Sequence, residues 1–367
     1  MSGAFDVALR QGLDYDDRDR LREAIGDLVA RTGGWPDRIR PGARVLLKVS
    51  MLAAKAPERA ITTHPEIVAA TGLLLREAGC HVMVGDSPGG AVRGVERYWL
   101  NCGYMAIAEE LGFELVNFES SGSEAVESSR GVFHVARAAL DCDALIDMCK
   151  LKTHGYCRMT LAIKNMFGVV PGLGKAIVHS RALRPRDLAR FLAEIYASVR
   201  VDMAILDGIL AMDGRGPSTD GTPRWDGIVA VARDPVCLDM VISDIAGLGP
   251  LGLDTTKAVR ELGFGKPFEE VTVDGKAVLD NFRIPSNAFY NFVPGFLGGL
   301  ARPILKRVPR ANERCTGCGF CARSCPVGAI SIVDGRARMS RRKCVMCLCC
   351  HELCPENAIS IRTGIRG

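Results

Sequence analysis

The cysteines near the C-terminal end are the residues whose type and spacing define a chemistry most sharply. The sequence contains 15 cysteines, and nine of them fall between Cys315 and Cys354. In this stretch the pattern C-x2-C-x2-C-x3-C-P occurs twice, as CTGCGFCARSCP and as CVMCLCCHELCP. Three closely spaced thiolates can hold one iron–sulfur cube while the fourth cysteine of the run reaches a second cube. The pattern therefore predicts a bacterial-type ferredoxin module with two oxygen-sensitive [4Fe-4S] clusters.

The two expected sets of cluster ligands exchange their fourth cysteine. One cluster would be held by Cys315, Cys318, Cys321 and Cys354, and the other by Cys344, Cys347, Cys350 and Cys325. The segment CPVGAISI returns 29 residues later as CPENAISI, which indicates two related half-modules. Two zinc sites are the alternative, but zinc needs four ligands and leaves the third cysteine and the Cys-Pro of each run unexplained. Cys349 has no place in the pattern and is interpreted as a bystander thiol.

Composition limits the class of protein. A length of 367 residues and an apolar content of 48% predict a globular protein of two or three domains. Lys and Arg (47) nearly balance Asp and Glu (42), and no dense basic run is interleaved with aromatic residues, so neither nucleic acid nor a membrane is expected as a partner. The N-terminal residues are acidic where a secretory signal would be basic and then apolar, so we expect a cytoplasmic location.

Upstream of residue 280, short β-branched runs alternate with amphipathic stretches, a pattern typical of an α/β fold with a mostly parallel sheet and flanking helices. Strands are predicted at 43–50, 81–87, 144–150, 201–208 and 227–234, and helices at 65–78, 96–111, 186–199 and 235–246. We therefore expect an α/β domain over 1–285, a linker over 286–311 and a small α+β ferredoxin-like domain over 312–367.

The strongest candidate site outside the cysteines follows the predicted strand that ends near residue 150. In open α/β sheets ligands bind at the carboxyl ends of the strands. An extended chain would place Lys150, Lys152 and His154 on one face, where they could clamp an anion. Lys164 and Asn165 can reach the same place from the following helix. We expect Lys152, His154 and Lys164 to be catalytic and Lys150 and Asn165 to bind substrate; a lysine reaching from the surface is the alternative.

Other strand ends add further candidates for substrate binding. Gly85 and Asp86 open the Gly-rich loop VGDSPGG, which could offer backbone N–H groups to an anion or could be an ordinary turn. Asp207 and Asp213 follow the fourth predicted strand, where either could orient a lysine or imidazole or form local hydrogen bonds. His179 lies in the stretch GVVPGLGKAIVH, which lacks the Walker spacing and could form a lid over the site.

The segment from Val45 to Leu248, with VGDSPGG, KLKTHGYCRMTLAIKNMFG, DGILAMDGRGP and ARDPVCLD, resembles the domain-of-unknown-function 362 family. Its KxKTH…KNxFG pattern is matched from Lys150 to His154 and from Lys164 to Gly168. Members of this family often carry a C-terminal two-cluster ferredoxin module. The resemblance implies the same domain boundary and the same site residues, and it implies no substrate.

Three functions are compatible with the sequence. The preferred hypothesis is an iron–sulfur oxidoreductase in which an electron donor or acceptor protein exchanges electrons with the clusters and a small anionic substrate or cofactor binds in the α/β domain. A second is a non-enzymatic electron-transfer or assembly partner, and a third is a non-redox isomerase or lyase with structural or sensing clusters. No G-x-G-x-x-G follows a predicted strand, so no flavin or nicotinamide site is evident.

Overall fold

The computed structural model describes residues 3–90, 94–182, 184–217, 221–287, 308–345 and 347–361. Before residue 288 the strands are β1 (Val7–Arg10), β2 (Arg44–Lys48), β3 (His81–Asp86), β4 (Glu114–Asn117), β5 (Ser123–Val126), β6 (Phe133–Ala136), β7 (Ala144–His154), β8 (Arg158–Thr160), β9 (Met203–Gly214), β10 (Gly221–Ala232) and β11 (Val273–Asp274). The helices of the same part are α1 (Arg18–Arg31), α2 (Pro65–Glu77), α3 (Glu96–Asn101), α4 (Tyr104–Leu111), α5 (Arg137–Leu140), α6 (Ala162–Asn165), α7 (Gly174–Arg181), α8 (Pro185–Ala197), α9 (Pro235–Ile245) and α10 (Asp254–Glu261).

Nine of the described strands form one mixed sheet in the order β11-β1-β10-β9-β7-β2-β3-β4, with β8 paired to β7. The segment from β9 to β4 is parallel, whereas β10 pairs antiparallel with both β9 and β1. Parallel neighbours need a crossover connection, and α2 supplies it between β2 and β3. Buried side chains form one hydrophobic layer on each face of the sheet. The predicted α/β class with a mostly parallel sheet is confirmed.

Strand β7 lies in the middle of the sheet and is buried at all 11 positions. Its apolar side chains alternate between the two layers, with Leu145 and Cys149 on one face and Ile146 and Met148 on the other. The same strand carries an aspartate, two lysines and a histidine. Since a buried charge is costly unless it is paired, these polar residues must satisfy each other or take part in binding.

Several predicted elements differ in extent from the observed ones. The helix predicted over 96–111 is split into α3 and α4, because Gly103 has a left-handed φ of 80° and a Cβ there would lie 3.0 Å from Pro65. Strands β7 and β9 run beyond their predicted ends at 150 and 208. The extensions are stabilised by pairing, since β8 continues β7 as a hairpin and β10 follows β9 to Gly214.

The C-terminal module contains two short antiparallel strand pairs and two one-turn helices. Strand β12 (Pro309–Ala311) pairs with β15 (Ile359–Ile361), and β13 (Ile330–Val333) pairs with β14 (Arg336–Met339). Helices α11 (Phe320–Arg323) and α12 (Cys349–Glu352) lie within the two cysteine runs. Because β12 starts at Pro309, the last residues of the predicted linker belong to this module.

Most of the predicted linker, residues 288–307, lies outside the described residues. None of the helices found in the described part of the chain has the length and apolar character that crossing a bilayer requires.

Candidate functional site

A polar cavity of about 450 Å³ lies at the carboxyl ends of β2, β3 and β7. Its ionisable side chains are Asp86, Lys152, His154, Lys164, Lys175 and Glu352. Of these, Glu352 comes from the C-terminal module and the others from the α/β domain. The carboxyl edge of the sheet, where the sequence predicts a site, therefore forms a cavity that both domains line.

Lys152 reaches the cavity from the extended end of β7. Its Nζ donates to Ser50 Oγ at 2.7 Å and to the Ile61 carbonyl at 2.5 Å, so two of its three N–H bonds are used by neutral oxygens. Burial, with additional repulsion from Lys164 and other lysines, lowers the pKa of Lys152 to about 7. This ammonium has one donor left for a ligand and can lose its proton near neutral pH.

His154 presents one defined nitrogen to the cavity. Its Nδ1 accepts hydrogen bonds from the backbone N–H groups of Tyr156 (3.1 Å) and Cys157 (3.2 Å). The ring proton must therefore be on Nε2, which lies 3.4 Å from Glu352 Oε1. Burial, followed by the positive charge of Lys164, holds the pKa of His154 well below its usual value. The ring is a neutral donor.

Close packing explains why a glycine occupies position 168, at the end of the segment KNMFG. Lys48 at the end of β2 pairs with Asp86 at 3.0 Å, and Gly168 lies directly over this ion pair. A Cβ on Gly168 would overlap Asp86 Oδ1 and would lie 2.6 Å from Lys48 Nζ. Only glycine allows the backbone to approach the pair so closely. Because Asp86 lines the cavity, we call this buried pair the floor of the cavity.

Asn165 ties this floor to β7. Its Nδ2 donates to Asp147 Oδ1 at 2.6 Å, and its backbone carbonyl accepts from Lys48 Nζ. Burial raises the pKa of Asp147 to about 7, against the opposing effect of Lys48. Asn165 lines the cavity, but its amide is used to hold neighbouring charged residues in place.

Lys175 approaches the cavity from the opposite side to Lys152, at the start of α7. Its Nζ donates to Ser87 Oγ and, at 2.6 Å, to the Val170 carbonyl. Ser87 Oγ in turn donates to Glu119. Burial lowers the pKa of Lys175 to about 8, although the carboxylate of Glu119 partly opposes the shift. Lys175 is therefore a second ammonium group in the cavity wall, with one N–H left for a ligand.

The C-terminal module closes the cavity through close contacts near α12. Lys55 Nζ donates to the Pro355 carbonyl, and Leu353 packs against the loop at Gly89 and Gly90. A Cβ on Gly90 would lie 2.7 Å from Leu353 Cδ1 and 2.6 Å from Ser324 Oγ. The Gly-rich loop after β3 is therefore fitted to the module. Burial raises the pKa of Glu352, which the nearby lysines oppose.

Several predicted substrate residues lie away from the cavity wall. Lys150 and Asp207 form a fully buried ion pair of 2.7 Å with each other, and Tyr15 donates to the same carboxylate. Gly85 packs under Phe118, where a Cβ would lie 2.6 Å from the ring. Asp213 binds Arg283 and Arg224 near the far end of β9. His179 on α7 packs against Phe167, with ring centroids 5.5 Å apart.

The eight predicted ligand cysteines surround two further cavities. One, of about 380 Å³, is lined by Cys325, Cys344, Cys347 and Cys350. The other, of about 300 Å³, is lined by Cys315, Cys318, Cys321 and Cys354. These are the two crossed sets that the spacing predicts. Among the described residues, no three His, Cys, Asp or Glu side chains meet closely enough to hold a single metal ion; four thiols around a cavity match a cube held at its corners.

Backbone N–H groups already point at cysteine sulfurs, as thiolate ligands require. Ala329 N donates to Cys325 Sγ and Ala358 N to Cys354 Sγ, both at 3.2 Å. The residue before each alanine has a left-handed backbone, with φ of 55° at Gly328 and 53° at Asn357. Glycine and asparagine are the residues that tolerate this conformation best. The repeated CPxxAISI sequence therefore encodes one N–H···S turn in each half.

Sequence reasoning missed several polar residues at or beside the site, among them Lys48, Ser87, Lys175 and Glu352. Lys48 had a signal, because it is a lone lysine near the end of a predicted apolar strand. Ser87 and Lys175 were visible only as parts of Gly-rich stretches. Glu352 had no signal as a substrate residue, since its position between two cluster cysteines does not show which surface it faces.

Comparison with known proteins gives matches over both parts of the chain. A family model described as a domain of unknown function, DUF362, matches residues 45–244. A model described as a 4Fe-4S binding domain matches residues 310–331. A thylakoid-associated protein of Synechocystis sp. is 36% identical over 287 residues, which cover 76% of this chain and 87% of that protein.

Two solved structures align over about half of their own length. A protein from Thermotoga maritima, solved as a structural genomics target, has 14% identity and a TM-score of 0.37, covering 59% of this chain and 55% of that one. The lactate racemase apoprotein from Thermoanaerobacterium thermosaccharolyticum has 12% identity and a TM-score of 0.35, covering 61% and 54%.

Proposed function

Because this chain belongs to the DUF362 family and is an iron–sulfur protein, we propose that it is an oxidoreductase acting on a small anion in the cavity between its two domains. Two [4Fe-4S] clusters, held by the two sets of four cysteines, would exchange electrons with that anion one at a time. The observation that carries the proposal is the position of Glu352. It lies between Cys350 and Cys354 in the sequence and forms part of the wall of the polar cavity.

The shared wall supports electron transfer to a bound ligand. Cys350 and Cys354 belong to different cysteine sets, so the segment from Cys350 to Cys354 connects both cluster cavities to the polar cavity. Any molecule that contacts Glu352 is only two residues along the chain from a ligand of each cluster. An unrelated domain attached only by a linker would have no reason to form one wall of the site.

The donors in the cavity favour an anion as ligand. Lys152 and Lys175 each have one N–H left after two protein hydrogen bonds. His154 adds a neutral Nε2–H, and the buried hydroxyl of Thr160 has no hydrogen-bond partner among the described residues. Hydrogen bonds from charged donors are worth about 1.5–3 kcal/mol each. Carboxylate and phosphate oxygens are the acceptors that match such a set.

Lys152 is suited to proton transfer at the bound anion. Reduction of an organic anion usually consumes protons as well as electrons, and a general acid works best when its pKa is near the working pH. The pKa of Lys152 is about 7. Lys152 Nζ would therefore hold a proton for the ligand, while His154 Nε2–H and Lys164 orient it.

The first test is the metal content of the protein after anaerobic reconstitution. We expect about eight iron and eight acid-labile sulfide per chain, as two cubes require. About two zinc ions per chain without sulfide would rule out the redox function.

The second test is calorimetric titration of the reconstituted protein with phosphate and with small mono- and dicarboxylates. The Lys152→Ala variant should keep its iron content and lose at least about tenfold in affinity for the preferred anion, the loss of one charged hydrogen bond. Lys276→Ala, which removes an exposed lysine from the α/β domain, is the matched control and should bind normally. Equal binding by the wild type and Lys152→Ala would contradict the proposed site.

The same acid–base groups also favour a second function, an isomerase or lyase that moves a proton without redox change. The motivating observation is Lys152, which is buried and can titrate near neutral pH without any cluster. The two functions differ in their dependence on cluster state. Turnover of a bound anion by protein whose clusters are kept oxidised, at the rate of untreated protein, would favour the isomerase or lyase.

A further inference from the structure

The net charge of the protein is unevenly distributed. Residues 286–367 contain 13 Lys and Arg and four Asp and Glu, a surplus of nine positive charges, whereas the whole chain has a surplus of five. Residues 1–285 are therefore slightly acidic. The positive charge belongs to the part of the chain that carries the cluster cysteines, and charge of one sign on one surface steers partners of the opposite sign.

The basic side chains of the module lie on its outer surface. All eight described Lys and Arg residues of this part are exposed: Arg310, Arg314, Arg323, Arg336, Arg338, Arg341, Arg342 and Lys343. Three acidic residues, Glu313, Asp334 and Glu356, are exposed among them. The fourth acidic residue, Glu352, faces the polar cavity. The outer surface therefore keeps a clear positive excess.

The basic residues are closely linked to one cluster cavity. Cys318 is exposed, and Arg323 Nη1 donates to its carbonyl at 3.1 Å. Arg336 and Arg338 flank Ala337, whose N–H donates to Cys315 Sγ at 3.4 Å. One ligand set thus reaches the surface beside exposed arginines.

Two exposed apolar residues lie on the same hairpin as Arg336 and Arg338, whose turn at Gly335 approaches the cysteine loop at Gly317. Ile332 and Val333 on β13 are 37% and 44% exposed. Ile332 lines the cavity of Cys315, Cys318, Cys321 and Cys354 and lies within 4 Å of a Cβ position on Gly319, next to Cys318. An apolar centre with a charged rim is the common anatomy of a protein interface. Short-lived electron-transfer complexes use small interfaces of this kind.

From this arrangement we propose that the face formed by Cys318, Ile332, Val333, Arg323, Arg336 and Arg338 is the docking site for an acidic, one-electron carrier protein. The proposal rests on the proposed redox function and names the partner of the same module. A carrier of the ferredoxin or flavodoxin type would bring acidic side chains to the arginines and its redox centre to the exposed edge at Cys318. In the exchange one electron leaves the reduced carrier and enters the module, and no bond is made or broken.

The contacts between the module and the α/β domain also favour this face. Glu352, Leu353 and Pro355 contact the α/β domain or its cavity. A carrier cannot bind there without opening the polar cavity. The surface at Arg323 is exposed and contacts a ligand cysteine directly, which makes it a suitable entrance for electrons.

The test is binding, measured by calorimetry between the reconstituted, iron-verified protein and a purified acidic two-cluster ferredoxin. We expect micromolar affinity that decreases as salt rises from 50 to 300 mM, as complementary charges require. A triple variant, Arg323→Glu, Arg336→Glu and Arg338→Glu, should weaken binding about tenfold or more. The matched control, Arg186→Glu with Arg190→Glu on α8, reverses exposed charges of the α/β domain and should bind like the wild type.

Several results would overturn the proposal. Equal affinity of the wild type and the triple variant would exclude this face, as would binding that does not depend on salt. Co-sedimentation with anionic lipid vesicles, without ferredoxin binding, would assign the arginines to a membrane surface. Self-association lost in the triple variant would assign them to a second copy of the chain. Because binding is scored on iron-loaded protein without turnover, failure of docking is distinguishable from failure of the redox function.

Discussion

In the two halves of the cluster module, residues 29 positions apart occupy equivalent places, and Arg323 and Glu352 form a pair of opposite charge. Both end a one-turn helix, α11 or α12, inside a cysteine run. Arg323 is exposed and donates to Cys318. Glu352, with a side chain only 10% exposed, lies 3.4 Å from His154. One framework thus has an outer end that suits a protein partner and an inner end that suits a small ligand.

The halves agree where the cluster framework requires it. Each contains the C-x2-C-x2-C-x3-C-P spacing, and each directs an alanine N–H to the last cysteine of the run. They differ at positions that no thiolate needs. Cys349, for example, occupies the place of Phe320 and is buried in a wall of a cluster cavity. Comparing the halves therefore separates the shared cysteine framework from positions that are free to differ.

The largest expected effect comes from variants that test whether the two halves exchange their fourth cysteine. Cys354→Ser and Cys325→Ser should each lose about half of the iron and sulfide, because each removes the fourth ligand of one cluster. Adding Cys315→Ser to Cys354→Ser should cause little further loss, whereas adding Cys344→Ser should remove nearly all iron. Iron and sulfide analysis decides this. The reverse pattern would show that each half holds its own cluster.

Anion binding at the inner end should depend on pH in a way that carrier binding at the outer end does not. Lys152 is protonated below its pKa of about 7 and neutral above it, so anion affinity should fall as pH rises from 6 to 8, by up to about tenfold per unit. Lys175, with a pKa of about 8, should add a second decrease. Lys152→Arg stays charged and should lose the first decrease, as calorimetry across pH can show. Constant affinity of the wild type from pH 6 to 8 would contradict this assignment.

Removing the charge of Glu352 should affect only the inner end of the module, and removing the charge of Arg323 should affect only the outer end. Glu352→Gln removes a carboxylate from the anion cavity and should tighten anion binding severalfold, about 1 kcal/mol for charges several Å apart at a high effective dielectric. Arg323→Gln should leave anion binding unchanged and weaken carrier binding. Parallel titrations with the anion and with the carrier measure both. Equal responses of the two variants would mean that the ends are not functionally distinct.

The smallest expected effect concerns the left-handed turn that both halves share. Gly328→Asn should change stability by less than about 0.5 kcal/mol, because Asn357 occupies the same conformation in the other half. Gly328→Ala should destabilise by about 1 kcal/mol through backbone strain alone, since no atom lies within 4 Å of its Cβ position. Denaturant unfolding of the iron-loaded proteins can rank the variants. A more stable Ala variant would show that strain is not limiting.

The fold class and the cysteine sets could be predicted because their signals are local and periodic. The buried strand β7 can be recognised in the sequence as an apolar run interrupted by polar residues. A fixed spacing of cysteines defines each cysteine loop. Lys152, His154 and Lys164 could be chosen for the same reason, since they share one segment of chain.

What could not be predicted depends on contacts between distant parts of the sequence. Lys150 was grouped with Lys152 because both lie on one face of a strand. The structure pairs Lys150 with Asp207, 57 residues away, and leaves Lys152 at the cavity. Glu352 meets His154 only because the module docks on the sheet, and no periodicity encodes that docking. Pairwise placement of charges is set by tertiary packing, which a single sequence does not report.

The packing of Leu353 and Ser324 against Gly89 and Gly90 has a consequence for how the protein responds to oxygen. If oxygen destroyed the cubes and loosened the module, water would reach the lysines that the module covers, and their basicity would return toward that of ordinary surface lysines. The damaged protein would then lose the lowered lysine pKa values of its cavity together with its clusters. Under the proposed function, one oxidative event would therefore remove both properties at once.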